Sequence, residues 1–307
     1  MRIFVSKAKP FTKPKAAVFV IFYLLFIILL FSCSSAPSRP AEVFTIRNLS
    51  QSQLNLANQT ASRGRYEEAL ALLTEARRLA ISADDPALRI KTSISRGNVL
   101  FSLGFHDEAF IEFENAAAEA EISGDRVLAS LARTYTIRSR LLQLEASNDR
   151  AAASSAAELK TRLERELPNL RPDPLATAAG YVTLGMAEKL LGNWNEAERA
   201  IKSALDIHEK GLYLEDAAYN WFLIASVRSV AGNHNGALEA LREAISLDRR
   251  VENSYGLASS WQAMGDVYQK MGRTAESRDA WFRAAEIFRA INLNSQAQEL
   301  EKRLENS

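Results

Sequence analysis

Between residues 50 and 291 the small and large apolar positions fall into one repeating frame. Triplets of small, large and small residues at i, i+4 and i+7 occur as Ala69-Leu73-Ala76, Ala109-Phe113-Ala116, Ala197-Ile201-Ala204, Ala237-Leu241-Ala244 and Ser277-Trp281-Ala284. Five residues before each stands a glycine: Gly64, Gly104, Gly192, Gly232 and Gly272. Twelve residues before the second to fifth triplets stand Gly97, Gly185, Ala225 and Gly265, and four residues earlier again, before the last three, a bulky aromatic: Tyr181, Trp221, Trp261. Spacings of three and four residues place these side chains on one face of a helix. The frame predicts two antiparallel helices joined at the glycine, packed closely through their small residues. The glycines step by 40, 88, 40 and 40 residues, so the long gap holds one further, degenerate unit and the chain is an array.

Six hairpins follow from this register, the first near 50–83, the second near 88–124 and the third beginning near Arg126 with Leu128, Leu131, Tyr135 and Leu142 on one face. The second helix of the third hairpin is expected over about Asp149–Leu167, with Ala152, Ala156, Leu159 and Leu163 in place of the usual triplet. The run from Pro168 to Pro174 then supplies three prolines, whose missing donors are expected to end the helix. That segment reads as a hinge between halves or, preferably, as a longer turn. Asp107, Asn195 and Asn235 read as N-caps of second helices, and Asn294–Glu305 as a charged helix covering the last apolar face.

These residues resemble the tetratricopeptide repeat family, with Tyr181, Leu184, Gly185, Ala197, Ile201 and Ala204, and Trp261, Gly265, Tyr268, Trp281 and Ala284, as the best matches. The chain departs from the family in its 40-residue period and in having no proline after Pro174. The resemblance implies an all-α, right-handed superhelical solenoid of about six hairpins plus a C-terminal capping helix. It also implies a concave groove lined by first helices, in which Asn58, Asn98, Phe101, Met186, Tyr219 and Phe222 would meet a partner. For Phe101, Met186 and Phe222 packing between helices is the competing reading. Some members clamp a peptide carboxylate with Lys and Asn; Asn58 fits that pattern, whereas Leu54 stands where Lys is wanted.

The N-terminus changes where this array is expected to act. Residues 1–15 carry Arg2, Lys7, Lys9, Lys13 and Lys15 without an acid, and Ala16–Phe31 is unbroken apolar sequence. That is the pattern of an export signal, and it is short for a span, which needs about twenty residues. Leu30-Phe31-Ser32-Cys33 resembles the bacterial lipobox, apart from Phe31, and so implies lipidation at Cys33. The organisation expected is a signal peptide over 1–32, a Ser- and Pro-rich tether over 33–48 and a solenoid over 49–307, with a possible subdivision at 168–174. Cys33 is the only cysteine, so no internal disulfide forms.

The whole chain has 38 basic and 37 acidic residues; without the five basic residues before Cys33 the balance is 33 to 37, a net charge of −4. Nothing there attracts nucleic acid. Of the three histidines, His106 and His234 occupy the slot that holds Tyr66 and Trp194 in other repeats, a packing position. His208 falls near a helix C-terminus, where a cation meets the dipole favourably. No His and Cys spacing suits a metal, no Walker-type loop occurs, and Glu67-Glu68, Glu119, Glu121 and Glu215-Asp216 read as solvated faces.

The expectation is therefore a lipid-anchored, non-catalytic scaffold in the bacterial envelope, facing the periplasm and probing it from the outer membrane, with no cofactor, no metal and no nucleic-acid partner. It would dock envelope proteins or peptides. The alternative is an accessory lipoprotein that binds a small hydrophobic molecule or assists a solute transporter.

Overall fold

A computed structural model describes residues 45–147 and 152–305, and among them the chain forms thirteen helices. They are α1 (Thr45–Ser62), α2 (Tyr66–Ser82), α3 (Pro86–Ser102), α4 (His106–Ser123), α5 (Arg126–Ser147), α6 (Ala152–Leu170), α7 (Pro174–Leu190), α8 (Trp194–Lys210), α9 (Leu214–Val230), α10 (His234–Val251), α11 (Ser254–Lys270), α12 (Thr274–Ala290) and α13 (Asn294–Glu305). Consecutive pairs from α1 to α12 make six hairpins, and α13 caps the last one. The signal sequence, Cys33 and most of the tether lie outside the described residues. α1 begins at Thr45, so the last residues of the expected tether are helical.

The small-residue frame works as steric matching. A Cβ added at Gly97, Gly185 or Gly265 would lie 2.5 Å from Phe113, 2.4 Å from Ile201 or 2.4 Å from Trp281, the large residue of its own hairpin's triplet. The alanines that flank that large residue are fully buried in the first four matching hairpins. Ser277, which replaces alanine in the last, is accommodated because its hydroxyl donates to the Gly265 carbonyl at 2.9 Å. Packing of this density explains why a single methylene matters there.

Hairpin turns place Gly64, Gly104, Gly192, Gly232 and Gly272 in the left-handed region. Between hairpins the same conformation falls on Asp84, Gly124, Leu212, Glu252 and Asn292, again in the 40-residue frame with one long gap. The N-caps differ from expectation. α4 and α8 start two residues earlier than predicted, at His106 and Trp194, which leaves Asp107 and Asn195 inside the first turn. α10 is capped by Asn233, whose side chain accepts from the Gly236 amide, rather than by Asn235. Side-chain caps are concentrated on first helices, at Asp85, Asp125, Asp173 and Asn253.

Pro168 lies inside α6, and only Arg171, Pro172 and Asp173 separate α6 from α7. A proline so near the end forfeits one hydrogen bond, while Leu170 beyond it is fully buried. Leu167 and Leu170 pack where a Cβ on Gly180 would lie 2.7 and 2.8 Å away. The main core continues across this turn, joining Ile137, Leu141, Leu159 and Leu163 to Val182, Ile201 and Ile224.

The coil closes on itself within six hairpins. Helices of 17 residues are about 26 Å long, and the turn of the first hairpin reaches the inter-hairpin turns of the fifth and sixth. Arg63 forms an ion pair with Glu252 at 3.3 Å, Gly64 sits against Ile291, and Leu293 joins the apolar cluster of Leu54, Tyr66 and Leu73. Tyr66 meets Tyr255 edge-on at 6.0 Å, and Tyr255 meets Phe288 at 6.1 Å. The first hairpin and the turns that follow the fifth and sixth hairpins thus touch along a seam.

Candidate functional site: the concave wall

The six residues predicted to line the groove are divided by the structure. Met186 is 3% exposed and belongs to the main core, so it packs between helices and is not presented to a partner. Leu54 is buried for the same reason. Phe101 is half-buried and leans on His106 of its own hairpin at 4.5 Å, which also bears out the packing role of the His106 slot. Asn58 is exposed on α1.

Asn98, Tyr219 and Phe222 are brought together by two residues that sequence reasoning did not single out for this role. Arg138 of α5 lies between two aromatic rings, 5.8 Å from the centre of Tyr135 and 4.9 Å from that of Tyr219. Both distances are within the range of a cation–π contact. Tyr135 in turn pairs with Asn98 of α3, and Tyr219 stacks on Phe222 at 6.3 Å. A continuous row, Asn98-Tyr135-Arg138-Tyr219-Phe222, therefore crosses the first helices of hairpins two, three and five. It skips α7, whose sequence from Ala176 to Gly180 is almost entirely small, and the Arg138 side chain spans the gap to the Tyr219 ring. All five side chains are half-buried.

Acidic groups stand beside this row at the start of α9. Glu215 lies in a crevice that water enters but protein surrounds; burial lifts its carboxyl to about 7, with the charge of Asp216 acting in the same direction and Ser62 of the first hairpin opposing it. Asp248 at the end of α10 is 2% exposed. Its carboxylate accepts from Asn253 Nδ2 at 2.8 Å, and burial lifts it to about 7 despite that bond. Glu215 and Asp216 keep exposed surface, as expected of a solvated face, whereas Asp248 is a buried carboxylate that the sequence did not single out. Glu119 and Glu121 are engaged by Arg89 and Arg133.

His208 is not the cation expected at a helix end. It is buried against Tyr213, its Nδ1 faces Asn220 Nδ2 at 2.8 Å, and burial holds its pKa below the usual imidazole value. The amide donates to that nitrogen, so the ring is neutral with its proton on Nε2. This is a structural hydrogen bond that joins hairpins four and five. Among the described residues no group of three or more His, Cys, Asp or Glu side chains is placed to hold a metal.

The wall offers aromatic faces, amide and hydroxyl groups, one sandwiched guanidinium and nearby carboxylates, and no nucleophile–base pair is among them. Such a surface recognises another chain by contact.

The tetratricopeptide repeat family model matches residues 177–212, which are hairpin four from α7 to the turn after α8. No curated protein sequence matches the chain. Among solved structures, that of a Rap protein complexed with competence and sporulation factor is similar, with a TM-score of 0.55 at 15% identity over 84% of this chain and 74% of the other. That of BtubC from P. vanneervenii has a TM-score of 0.50 at 15% identity, over 79% of this chain and 92% of the other. The match of hairpin four, the recurrence of its frame at 40-residue steps and these folds agree: the chain is an all-helical, right-handed superhelical solenoid of tetratricopeptide-type repeats, an architecture suited to protein–protein interaction.

Proposed function

We propose that this protein is an exported, lipid-anchored scaffold of the bacterial envelope that docks a polypeptide segment of a partner protein along its concave wall. The observation that carries this reading is the half-buried row from Asn98 to Phe222, pre-ordered by Arg138; with the seam closed, the concave wall would line a channel. Aromatic and arginine side chains held rigid before binding lose little entropy on contact and dominate binding energy in interfaces. A solenoid of this fold has been crystallised in complex with the competence and sporulation factor, so the architecture admits a bound partner. The channel's tyrosines and carboxylates fit a peptide backbone better than a purely apolar small molecule.

The anchor rests on the sequence alone: the basic n-region, the apolar run and Cys33. Acyl chains at Cys33 would hold the solenoid at the outer membrane and raise its effective concentration for partners in the periplasm. The whole reading is tested with a photocrosslinking amino acid at Tyr219, compared with the same group at Arg199 on the outer surface of α8. The expected result is one dominant adduct from position 219, none from 199, and an acylated N-terminal peptide at Cys33. Equal adducts from both positions, or none from 219, would overturn the docking role; an unmodified Cys33 would overturn the anchor.

A further inference from the structure

A second surface lies on the other side of the array, between the second helices α10 and α12. A cavity of about 650 Å³ is floored by Trp261, Met264 and Tyr268 of α11 and walled by Ile245, with Arg242 and Arg249 on its rim. That size is in the range of sites that hold a small molecule or two to three side chains. The acids on its opposite wall are already paired, Glu276 with Arg273 just before α12 at 2.7 Å and Asp279 with Arg283 at 2.9 Å, and these two arginines also lie over floor rings, Arg273 4.6 Å from Tyr268 and Arg283 4.9 Å from Trp261. Arg242 and Arg249 are exposed and form no ion pair among the described residues. Arg249 lies over the Trp261 ring of the floor, 6.0 Å from its centre.

The repeat itself supplies the control. Forty residues earlier, in the groove between α8 and α10, the register positions of Leu238, Arg242, Arg249 and Tyr268 hold Glu198, Lys202, Glu209 and Arg228. There Glu198 pairs with Arg228 at 2.7 Å and with Lys202 at 2.8 Å, and the Arg228 hydrogen bond holds the Glu198 carboxyl below its ordinary range. That groove is filled by its own salt bridges. One frame later the acid has become leucine, the plugging arginine has become tyrosine, and a glutamate on the rim has become an arginine. The result is an open apolar trough with two uncompensated positive charges, seven residues or about 10 Å apart along α10.

We propose that the α10–α12 groove is a second docking site, for a polypeptide segment that carries a bulky apolar side chain flanked by carboxylates. The apolar group fills the trough over Trp261 and Met264, and the two acids reach Arg242 and Arg249, each as a forked guanidinium–carboxylate contact. This site does not depend on the channel, and an array bearing both would hold two partners at once.

The test is fluorescence anisotropy on the full-length protein in detergent, with a fluorescein-labelled peptide in which glutamates flank a Leu-Phe pair. Binding is expected, weakening as salt rises, falling about tenfold or more in the double variant Arg242→Glu/Arg249→Glu, and unchanged by Arg250→Glu on the same helix. All three positions are exposed, so folding is preserved and is checked by circular dichroism. Equal binding of a peptide with glutamines in place of the glutamates, equal binding by the double variant, or retention on anionic vesicles in place of the peptide would overturn the proposal. Crosslinking from position 219 reads the channel and this titration reads the groove, so each can fail without the other.

Discussion

Replacing Asp248 with asparagine removes a charge while keeping the acceptor that Asn253 uses. The carboxyl is 2% exposed with one hydrogen bond, from Asn253 Nδ2 at 2.8 Å, and burial raises it from 3.8 to about 7. The folded state therefore binds the proton more tightly than the unfolded chain, so stability is highest at low pH and falls as pH climbs from the unfolded value towards 7. At about 1.36 kcal/mol per unit, the ceiling on this penalty is on the order of 4 kcal/mol, and relaxation around the group brings the expected effect to about 2–4 kcal/mol at pH 8. Glu215 adds a fall of the same sign, reduced by its contact with water, but it is common to both proteins and cancels in the difference. Urea denaturation of wild type and Asp248→Asn from pH 4 to 8.5, followed by tryptophan fluorescence, should show near equality at pH 4. The gap should widen in favour of the variant up to pH 7 and then level off. A gap independent of pH, or a variant less stable at pH 8, would refute the argument.

Leu212 occupies the left-handed region at φ 58° with its side chain 77% exposed, so Leu212→Gly should stabilise by about 0.5–1 kcal/mol, read as a rise in the denaturation midpoint. Gly265→Ala forces a Cβ to within 2.4 Å of Trp281; overpacking there should cost about 1–3 kcal/mol and shift the Trp281 emission. Tyr255→Ala removes ring contacts to Tyr66 and Phe288 at the seam, and small-angle scattering should show a larger radius of gyration. An unchanged radius would mean the seam is incidental to the coil.

Most of the architecture was legible because its determinants are local. The small-residue frame fixes which faces meet, and hairpin four shows it plainly: Gly185 against Ile201 is a contact between residues sixteen positions apart. The departures have physical causes. Pro168 suggested a helix end, but burial of Leu167 and Leu170 against Gly180 outweighs one lost hydrogen bond. His208 suggested a charged helix end, but Asn220 twelve residues later buries it as a neutral ring.

The candidate wall was only partly legible. Tyr219, Phe222 and Asn98 carried a usable signal from their register, whereas Arg138 and Tyr135 sit in the degenerate third repeat and join them through the reach of one long side chain. Met186 was misassigned because a slot in the register cannot tell a buried side chain from a presented one. The seam had no sequence signal at all, since Arg63 and Glu252 are 189 residues apart and nothing in either turn departs from its repeat.

The docking role proposed for the concave wall depends most on that seam, which would close an open groove into a channel. Spin labels at Glu67→Cys and Ser295→Cys in a Cys33→Ser background place one probe on each side of the Gly64–Ile291 contact. Pulsed dipolar spectroscopy should give a narrow distribution below about 30 Å, allowing for label linkers and a helical turn of about 5.4 Å on each side. A distribution centred near 50 Å, the spacing of five repeats laid side by side at about 10 Å each, would contradict the closed coil and with it the channel.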